Sequence, residues 1–184
     1  MKSLAEPIAR RANAEDGCKG HFWESRFKCQ PLLNGKAILA ASVYVALNPI
    51  RAGIAKSVES SKHTGVRQRI KAVRKDPTLA TARMRPLAGV ISTNFPNLTN
   101  AEYIELVDWT GRQWHEGKRG VIAATEPPAL RKLGLDAENW TMKVKAFGGG
   151  YWRVVGSVDE LVEKAQQMGQ RWLCGIGLAR LLER

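Results

Sequence analysis

The chain has 184 residues, with 29 Lys and Arg against 17 Asp and Glu, which gives a net charge of +12 at pH 7. Hydrophobic residues make up 44% of the sequence and charged residues 25%, which is typical of a globular protein with one or two small domains. This composition excludes a collagen-like or wholly disordered chain, and the longest apolar run is far shorter than the roughly 20 residues of a membrane-spanning helix.

The positive charge lies mainly in the first part of the sequence. Residues 1–84 contain 16 Lys and Arg and 6 Asp and Glu, a balance of +10, whereas residues 85–184 contain 13 and 11, a balance of +2. Clustered cations bind phosphate backbones because they release condensed counterions. Excess Lys and Arg can also simply keep a protein in solution, so charge alone leaves both readings open.

A helix and a strand are the first elements expected. Residues 6–15 have a helical composition, and Gly17 can end that helix. Residues 24–30 roughly alternate between apolar and polar or basic side chains, as half-buried strands do. Aromatic side chains interleaved with cations can hold bases and phosphates, although aromatic residues in a strand more often belong to a core.

A second helix is predicted to begin after Asn34, a good cap, and to be interrupted at Asn48 and Pro49. Helical spacing places four apolar residues on one face: Leu39, Val43, Ala46 and Leu47. Tyr44 falls on the other side, among small and polar neighbours, where its hydroxyl could project over a low surface that a nucleic-acid backbone can approach. The alternative is a tyrosine at the edge of a core.

A basic helix is expected next. The chain turns after Pro49 and ends that turn at Gly53, and Thr64 can cap a helix over residues 65–75. This helix contains Arg67, Arg69, Lys71, Arg74 and Lys75. It lacks the Glu residues at four-residue spacing that usually balance a solvated helix, which favours contact with phosphates.

Three prolines and several asparagines without periodicity predict a domain boundary in residues 76–100. Further helices are expected after Thr99 or Asn100, after Pro127 and Pro128, after Ser157 with its capping-box partner Glu160, and up to Arg184. Residues 140–147 can form a strand or a short helix.

No local pattern predicts a catalytic or metal site. Residues 148–150 are three glycines, but they lack the Lys-Ser/Thr continuation of a phosphate-binding loop. The three histidines and three cysteines have no partners at ligand spacing, which argues against a zinc site and a disulfide framework. The N-terminus has no secretory pattern, so a cytoplasmic location is expected.

Two linked motifs are more specific. The segment GHFWESRFKCQPLL is followed after a short gap by YVALNPIRAGI. Together they resemble the central signature of the REP-associated tyrosine transposases, which are HUH-class single-tyrosine DNA transposases. The matching residues are Trp23, Arg26, Phe27, Tyr44, Val45, Asn48, Pro49 and Gly53. Flanking segments, such as EPIARRAN and LVDWTGR, also resemble a bacterial subgroup with a long C-terminal extension.

The resemblance implies that Tyr44 attacks a DNA phosphodiester, becomes joined to the 5′ phosphate and leaves a free 3′ hydroxyl. It also implies a Mg²⁺ or Mn²⁺ ion, which the family holds with a His-hydrophobic-His motif that this sequence does not contain. We therefore expect no metal or other cofactor in this chain itself, a catalytic domain that lacks its first half, and no DNA cleavage by the chain alone.

The expected fold is mainly α with a little β: the C-terminal part of a ferredoxin-like α+β transposase domain, followed by a mostly helical extension. The expected division is residues 1–75 as the catalytic part, 76–100 as a linker and 101–184 as an accessory domain. Single-stranded or hairpin DNA is the expected partner. The candidate DNA contacts are Arg26, Lys28, Arg51, Arg67, Arg69, Lys71 and Arg74.

Two alternatives remain open at this point. The chain can be a non-catalytic DNA-binding or regulatory module that needs a separately encoded N-terminal half or a second protomer. It can also be a small helical protein without a role in nucleic-acid binding.

Overall fold

The computed structural model describes residues 2–24, 29–84, 96–114, 126–149 and 154–183. It divides the chain into two compact units, Met1–Gln30 and Pro31–Arg184. The described residues are mainly helical, as the sequence predicted, and their β structure is limited to two isolated bridges. None of the described helices has the length and apolar character that crossing a membrane requires.

The first unit contains helix α1, Lys2–Glu15, in which no residue is buried. The indole Nε1 of Trp23 donates a hydrogen bond to the carbonyl of Ala5 at 3.0 Å. The Trp23 ring meets the Phe22 ring edge-on, with centroids 4.8 Å apart. Most of the predicted strand, residues 25–28, lies outside the described residues.

The second unit is a cluster of short helices. They are α2 Gly35–Ala46, α3 Asn48–Arg51, α4 Gly65–Lys75, α5 Asn100–Trp114, α6 Pro128–Lys132, α7 Ala137–Ala146, α8 Val158–Gln167 and α9 Ile176–Leu182. A 3-10 helix, Pro77–Ala80, follows α4. The segment that the sequence left as strand or helix, residues 140–147, lies in α7 and in the turn after it.

The helices begin where the sequence places caps. The side chain of Asn34 accepts a hydrogen bond from the Ala37 N–H at 2.8 Å, and Thr64 caps α4 in the same way. Ser157 and Glu160 form the predicted capping box of α8. These side chains accept hydrogen bonds from first-turn backbone N–H groups, which have no acceptor within the helix. The starts of these helices are therefore set by neighbouring residues in the sequence.

Helix α2 is the centre of the core. Leu39, Val43 and Leu47 are fully buried, in a core that also includes residues of α4, α5, α6 and α7. Helix α5 comes close at Gly111, where a Cβ atom would lie 2.9 Å from Leu47 Cδ2. The glycine therefore permits the approach of α5 to α2.

A buried tryptophan joins α7 to α5. Trp140 is fully buried, and its Nε1 donates to the Thr110 hydroxyl at 2.9 Å. Thr110 in turn donates to the carbonyl of Leu106 at 2.6 Å. The indole thus fills the core while its polar atom keeps a partner, which a buried N–H requires.

This core includes helices from both sides of residues 76–100. Helices α2 and α4 precede that segment, α5 and α7 follow it, and all four contribute to the same core. The division between compact units falls after Gln30. The assignment of residues 1–75 to a catalytic part and 101–184 to an accessory part stays a prediction.

One carboxylate links the start of α2 to the start of α8. Oε2 of Glu160 accepts hydrogen bonds from the N–H and the hydroxyl of Ser157, both at 2.8 Å, and from the side-chain amide of Asn34. Beside it, the Leu33 N–H donates to the carbonyl of Val155 at 2.8 Å. The caps of two helices therefore depend on one charged group.

The Glu160 carboxyl also makes stability depend on pH. Burial raises its pKa, but hydrogen bonds from Ser157 and Asn34, together with the charge of Lys143, outweigh burial and hold the pKa below its ordinary value. A carboxyl with a depressed folded-state pKa stabilises the fold above its unfolded pKa. That contribution is lost as pH falls through the folded pKa.

We expect Glu160→Gln to lower the free energy of unfolding at neutral pH by about 1–3 kcal/mol, because a neutral amide oxygen accepts the bonds from Ser157 and Asn34 more weakly than a carboxylate and is not attracted to Lys143. The variant should also lose less stability than the wild type as the pH falls below about 4.3, the ordinary pKa of a Glu side chain, because the wild-type contribution is lost in that range. Urea unfolding followed by circular dichroism measures both effects. Glu163→Gln, on the exposed side of α8, is the matched control. If the unfolding free energy of Glu160→Gln falls with pH as steeply as that of the wild type, Glu160 is not the source of the pH dependence.

Candidate functional site

Tyr44 lies on α2, half-buried against the main core. Its ring centroid is 5.7 Å from that of Phe147, at the end of α7. Tyr44 also contacts Arg51, whose guanidinium carbon lies 4.0 Å from the Tyr44 ring centroid. The tyrosine ring is therefore held by an aromatic ring and by a cation, at a distance suited to cation–π attraction.

The low surface expected beside Tyr44 is not open. Ala37 and Ala40 are fully buried, and α7 packs against this side of α2, where Ala146 joins Ala37 in a small apolar cluster. Small side chains on α2 leave room beside the helix, and this room lets α7 approach α2 closely. Tyr44 thus lies at the edge of a core, which is the alternative that the sequence left open.

A glycine faces the polar atoms of this pair. A Cβ atom on Gly148 would lie 3.7 Å from the Tyr44 hydroxyl oxygen and 3.9 Å from Nη2 of Arg51. The hydroxyl and the guanidinium therefore share one neighbour that has no side chain. The guanidinium that stacks on the Tyr44 ring therefore also lies near the Tyr44 hydroxyl.

Helix α4 turns Val66 and Ile70 into the core, while Lys71 and Lys75 are exposed and Arg67 is half-buried. An amphipathic helix of this kind presents its cations to solvent. The surface formed by Arg67, Lys71 and Lys75 is named the α4 cationic face.

The other two predicted α4 contacts have partners within the protein. Arg69 donates to Oδ1 of Asn100, and its guanidinium lies 5.6 Å from the ring centroid of Tyr103. These contacts support the packing of α4 on α5. Arg74 forms an exposed ion pair with Glu59 at 2.6 Å, a kind of pair that contributes little and exchanges readily with other anions.

A groove of about 620 Å³ lies between α2, the residues before α4, and α5. Apolar side chains from α2, including Ile38 and Val45, form its floor. Lys62, His63 and Arg69 contribute positive or titratable groups, and no Asp or Glu is among the described residues that line the groove. An occupant with negative charge and an apolar part would be complementary to this groove.

The remaining motif residues shape the chain after α2. Asn48 and Pro49 begin α3, and Gly53 has a φ of 71°, a left-handed conformation that suits glycine. Trp23 lies in the first unit with the hydrogen bond described above. Three predicted residues lie outside the described part of the chain: Arg26, Phe27 and Lys28.

The described residues contain no group of three His, Cys, Asp or Glu side chains that could hold a metal ion. His21 belongs to the first unit, His63 to the second, and His115 lies outside the described residues. The described residues therefore do not bring together a set of ligands for the Mg²⁺ or Mn²⁺ ion that the resemblance implies.

Two features of the site were missed in the sequence. The contact between Tyr44 and Phe147 joins residues far apart in the chain, and its only local signal is the glycine run after Phe147, which can mark a close backbone approach. Lys62 and His63 belong to no motif, so their place at the groove had no signal in the sequence.

No protein-family model, curated protein or solved structure matches this chain.

We expect Tyr44→Phe to fold and Tyr44→Ala to be strongly destabilised. Phenylalanine keeps the ring against Phe147 and Arg51, so the loss in unfolding free energy should be about 1 kcal/mol or less. Alanine removes the ring and should cost about 3 kcal/mol. Urea titrations of the three proteins test this, and equal losses in both variants would show that the ring contacts do not stabilise the fold.

Proposed function

We propose that the chain binds DNA as a protein of the tyrosine-transposase type, with α4 as its phosphate-binding element. The observation that carries this proposal is the α4 cationic face. Its helix is anchored by Val66 and Ile70, and it lies in the part of the sequence that has a charge balance of +10. Anchored cations on one helix face bind phosphates without reading the base sequence.

The proposed role of Tyr44 is that of the nucleophile. Its hydroxyl oxygen would attack the phosphorus of a DNA phosphodiester, and the bond from phosphorus to the 3′ oxygen would break. The 3′ oxygen takes up a proton, the phenol proton goes to solvent, and the 5′ phosphate remains on Tyr44. Arg51, whose Nη2 faces the same glycine as the Tyr44 hydroxyl, would bind the phosphate.

A phenol is a weak nucleophile at neutral pH and needs activation. Since the described residues do not provide a metal-ligand set, we propose no step through a metal ion. The chain alone is proposed to bind DNA without cleaving it.

A second reading is supported by the same lack of a ligand set among the described residues. In it, the chain is a non-catalytic DNA-binding or regulatory module, and a separately encoded N-terminal half or a second protomer supplies the ferredoxin-like sheet and the His motif. Helices α2 and α3 would then complete that partner's domain.

Removing the α4 cationic face should weaken DNA binding and reduce its salt dependence. In Arg67→Gln/Lys71→Gln/Lys75→Gln, three phosphate contacts are lost. Each such contact with a single strand contributes about 0.7 to the slope of log K against log salt, so the slope should fall by about 2. Fluorescence anisotropy with a labelled hairpin that has single-stranded tails, over a range of salt concentrations, measures the change.

The matched control is Lys164→Gln/Arg171→Gln/Arg180→Gln, which makes the same change in net charge near α8 and α9. This control should bind DNA almost as the wild type does. If both triple variants lose affinity equally, net charge alone attracts DNA and the assignment to α4 is wrong.

Hairpin DNA incubated with the wild-type chain and Mg²⁺ or Mn²⁺ should yield no covalent adduct on a denaturing gel. If the chain binds the hairpin and forms no adduct, the result supports a protein that binds DNA and does not cleave it alone. An adduct that Tyr44→Phe abolishes, with the peptide confirmed by mass spectrometry, would overturn the expected inactivity and establish Tyr44 as the nucleophile. Tyr44→Phe is a suitable control because it retains the ring contacts that hold α2 in place.

A further inference from the structure

The groove beside α2 combines exposed apolar surface with positive charge. Val45 is 67% exposed although it lies on the central helix of the core, and it lines the groove together with Pro49. Lys62 and His63, just before α4, are exposed at the same groove. The apolar surface and the cations therefore face one space.

We propose that this groove holds one nucleotide of a DNA single strand, with its base against Val45 and Pro49 and its phosphate at Lys62 and His63. The inference rests on the proposed DNA-binding function and adds a site for the nucleotide. Tyr44 is not among the described residues that line the groove, so the inference concerns other residues of α2.

The dimensions of the groove favour a single strand. A volume of about 620 Å³ lies in the range of small-molecule sites, which suits an unpaired nucleotide and is too small for a duplex. Proteins that contact the face of a base need it unpaired or turned out of the helix.

The charge pattern favours a nucleotide over a neutral occupant. Among the described lining residues, Lys62, His63 and Arg69 can be cationic and none is a carboxylate. The side-chain amide of Asn48, also at the groove, offers donors and an acceptor for a base edge.

The groove also involves the helix that carries the α4 cationic face. Its wall includes Gly65, Val66 and Arg69 of α4. By helical spacing these residues lie on a different side of α4 from Arg67, Lys71 and Lys75, so the groove and the cationic face are two separate surfaces of one helix.

A matched pair of variants tests the site in the full chain. Val45→Glu places a carboxylate in the groove, whereas Ile54→Glu makes the same charge change at a residue that is 82% exposed and does not line the groove. With a labelled oligothymidine of about 12 nucleotides at low salt, Val45→Glu should weaken binding about tenfold and Ile54→Glu about twofold or less. In a second pair, Lys62→Gln should weaken binding more than its control Lys56→Gln, because Lys62 lines the groove and Lys56 does not.

Photocrosslinking locates the nucleotide directly. Oligothymidine with 4-thiothymidine should crosslink to peptides that contain Val45 or His63, as identified by mass spectrometry. Circular dichroism confirms that each variant is folded, which is expected because the replaced side chains are exposed.

Three results would overturn the inference. If Val45→Glu and Ile54→Glu bind equally while the α4 triple variant loses affinity, the groove site is wrong and the proposed DNA binding stands. If the wild type binds neither single strands nor hairpins at low salt, both fail. If Val45→Glu binds a labelled peptide of alternating Leu and Glu more weakly than the wild type does but binds the oligothymidine equally well, the groove is a peptide site.

Discussion

The enclosure of α2 is the constraint on which the second unit depends. Leu39, Val43 and Leu47 fill the core on one side, and Ala37 and Ala40 admit α7 on the other, so solvent reaches the helix only along a narrow strip. Both candidate functional features lie at the edges of this enclosure. Tyr44 is at the edge closed by Phe147, and the next residue, Val45, is at the edge open to the groove. A helix packed on two sides cannot shift without disturbing the core, and such an element positions side chains accurately.

The C-terminal helices are part of this scaffold. They hold the start of α2 through Glu160, and they place Lys143 in a confined position near the same cap. Burial lowers the pKa of Lys143, and the nearby Lys36 lowers it further, while Glu183 and Glu160 act in the opposite direction. The carboxylates of Glu160 and Glu183 thus lie near Lys143 of α7, close to the start of α2, and the accessory role expected for residues 101–184 stays a prediction.

Local chemistry made much of the fold predictable. A cap such as Asn34 or Thr64 depends on hydrogen bonds within one turn, and the buried face of α2 depends on the helical period, so each could be read from a few neighbouring residues. The site was less predictable because its contacts are between distant segments. No local pattern pairs Tyr44 with Phe147 or Arg69 with Asn100. The boundary expected in residues 76–100 stays a prediction.

Helix α4 connects the two proposed modes of DNA contact. Its exposed cations act through counterion release, which supplies affinity for any phosphate backbone and weakens as salt rises. Its inner residue Val66 and its half-buried Arg69 form a wall of the groove, where contact with a base depends on shape and apolar surface and is much less sensitive to salt. Because Val66 and Ile70 fix the helix to the core, the cationic face and the groove keep a constant relative position. In the proposed function, the phosphates at the cationic face and the nucleotide in the groove would therefore contact two sides of one fixed helix, and the groove alone would select an unpaired base.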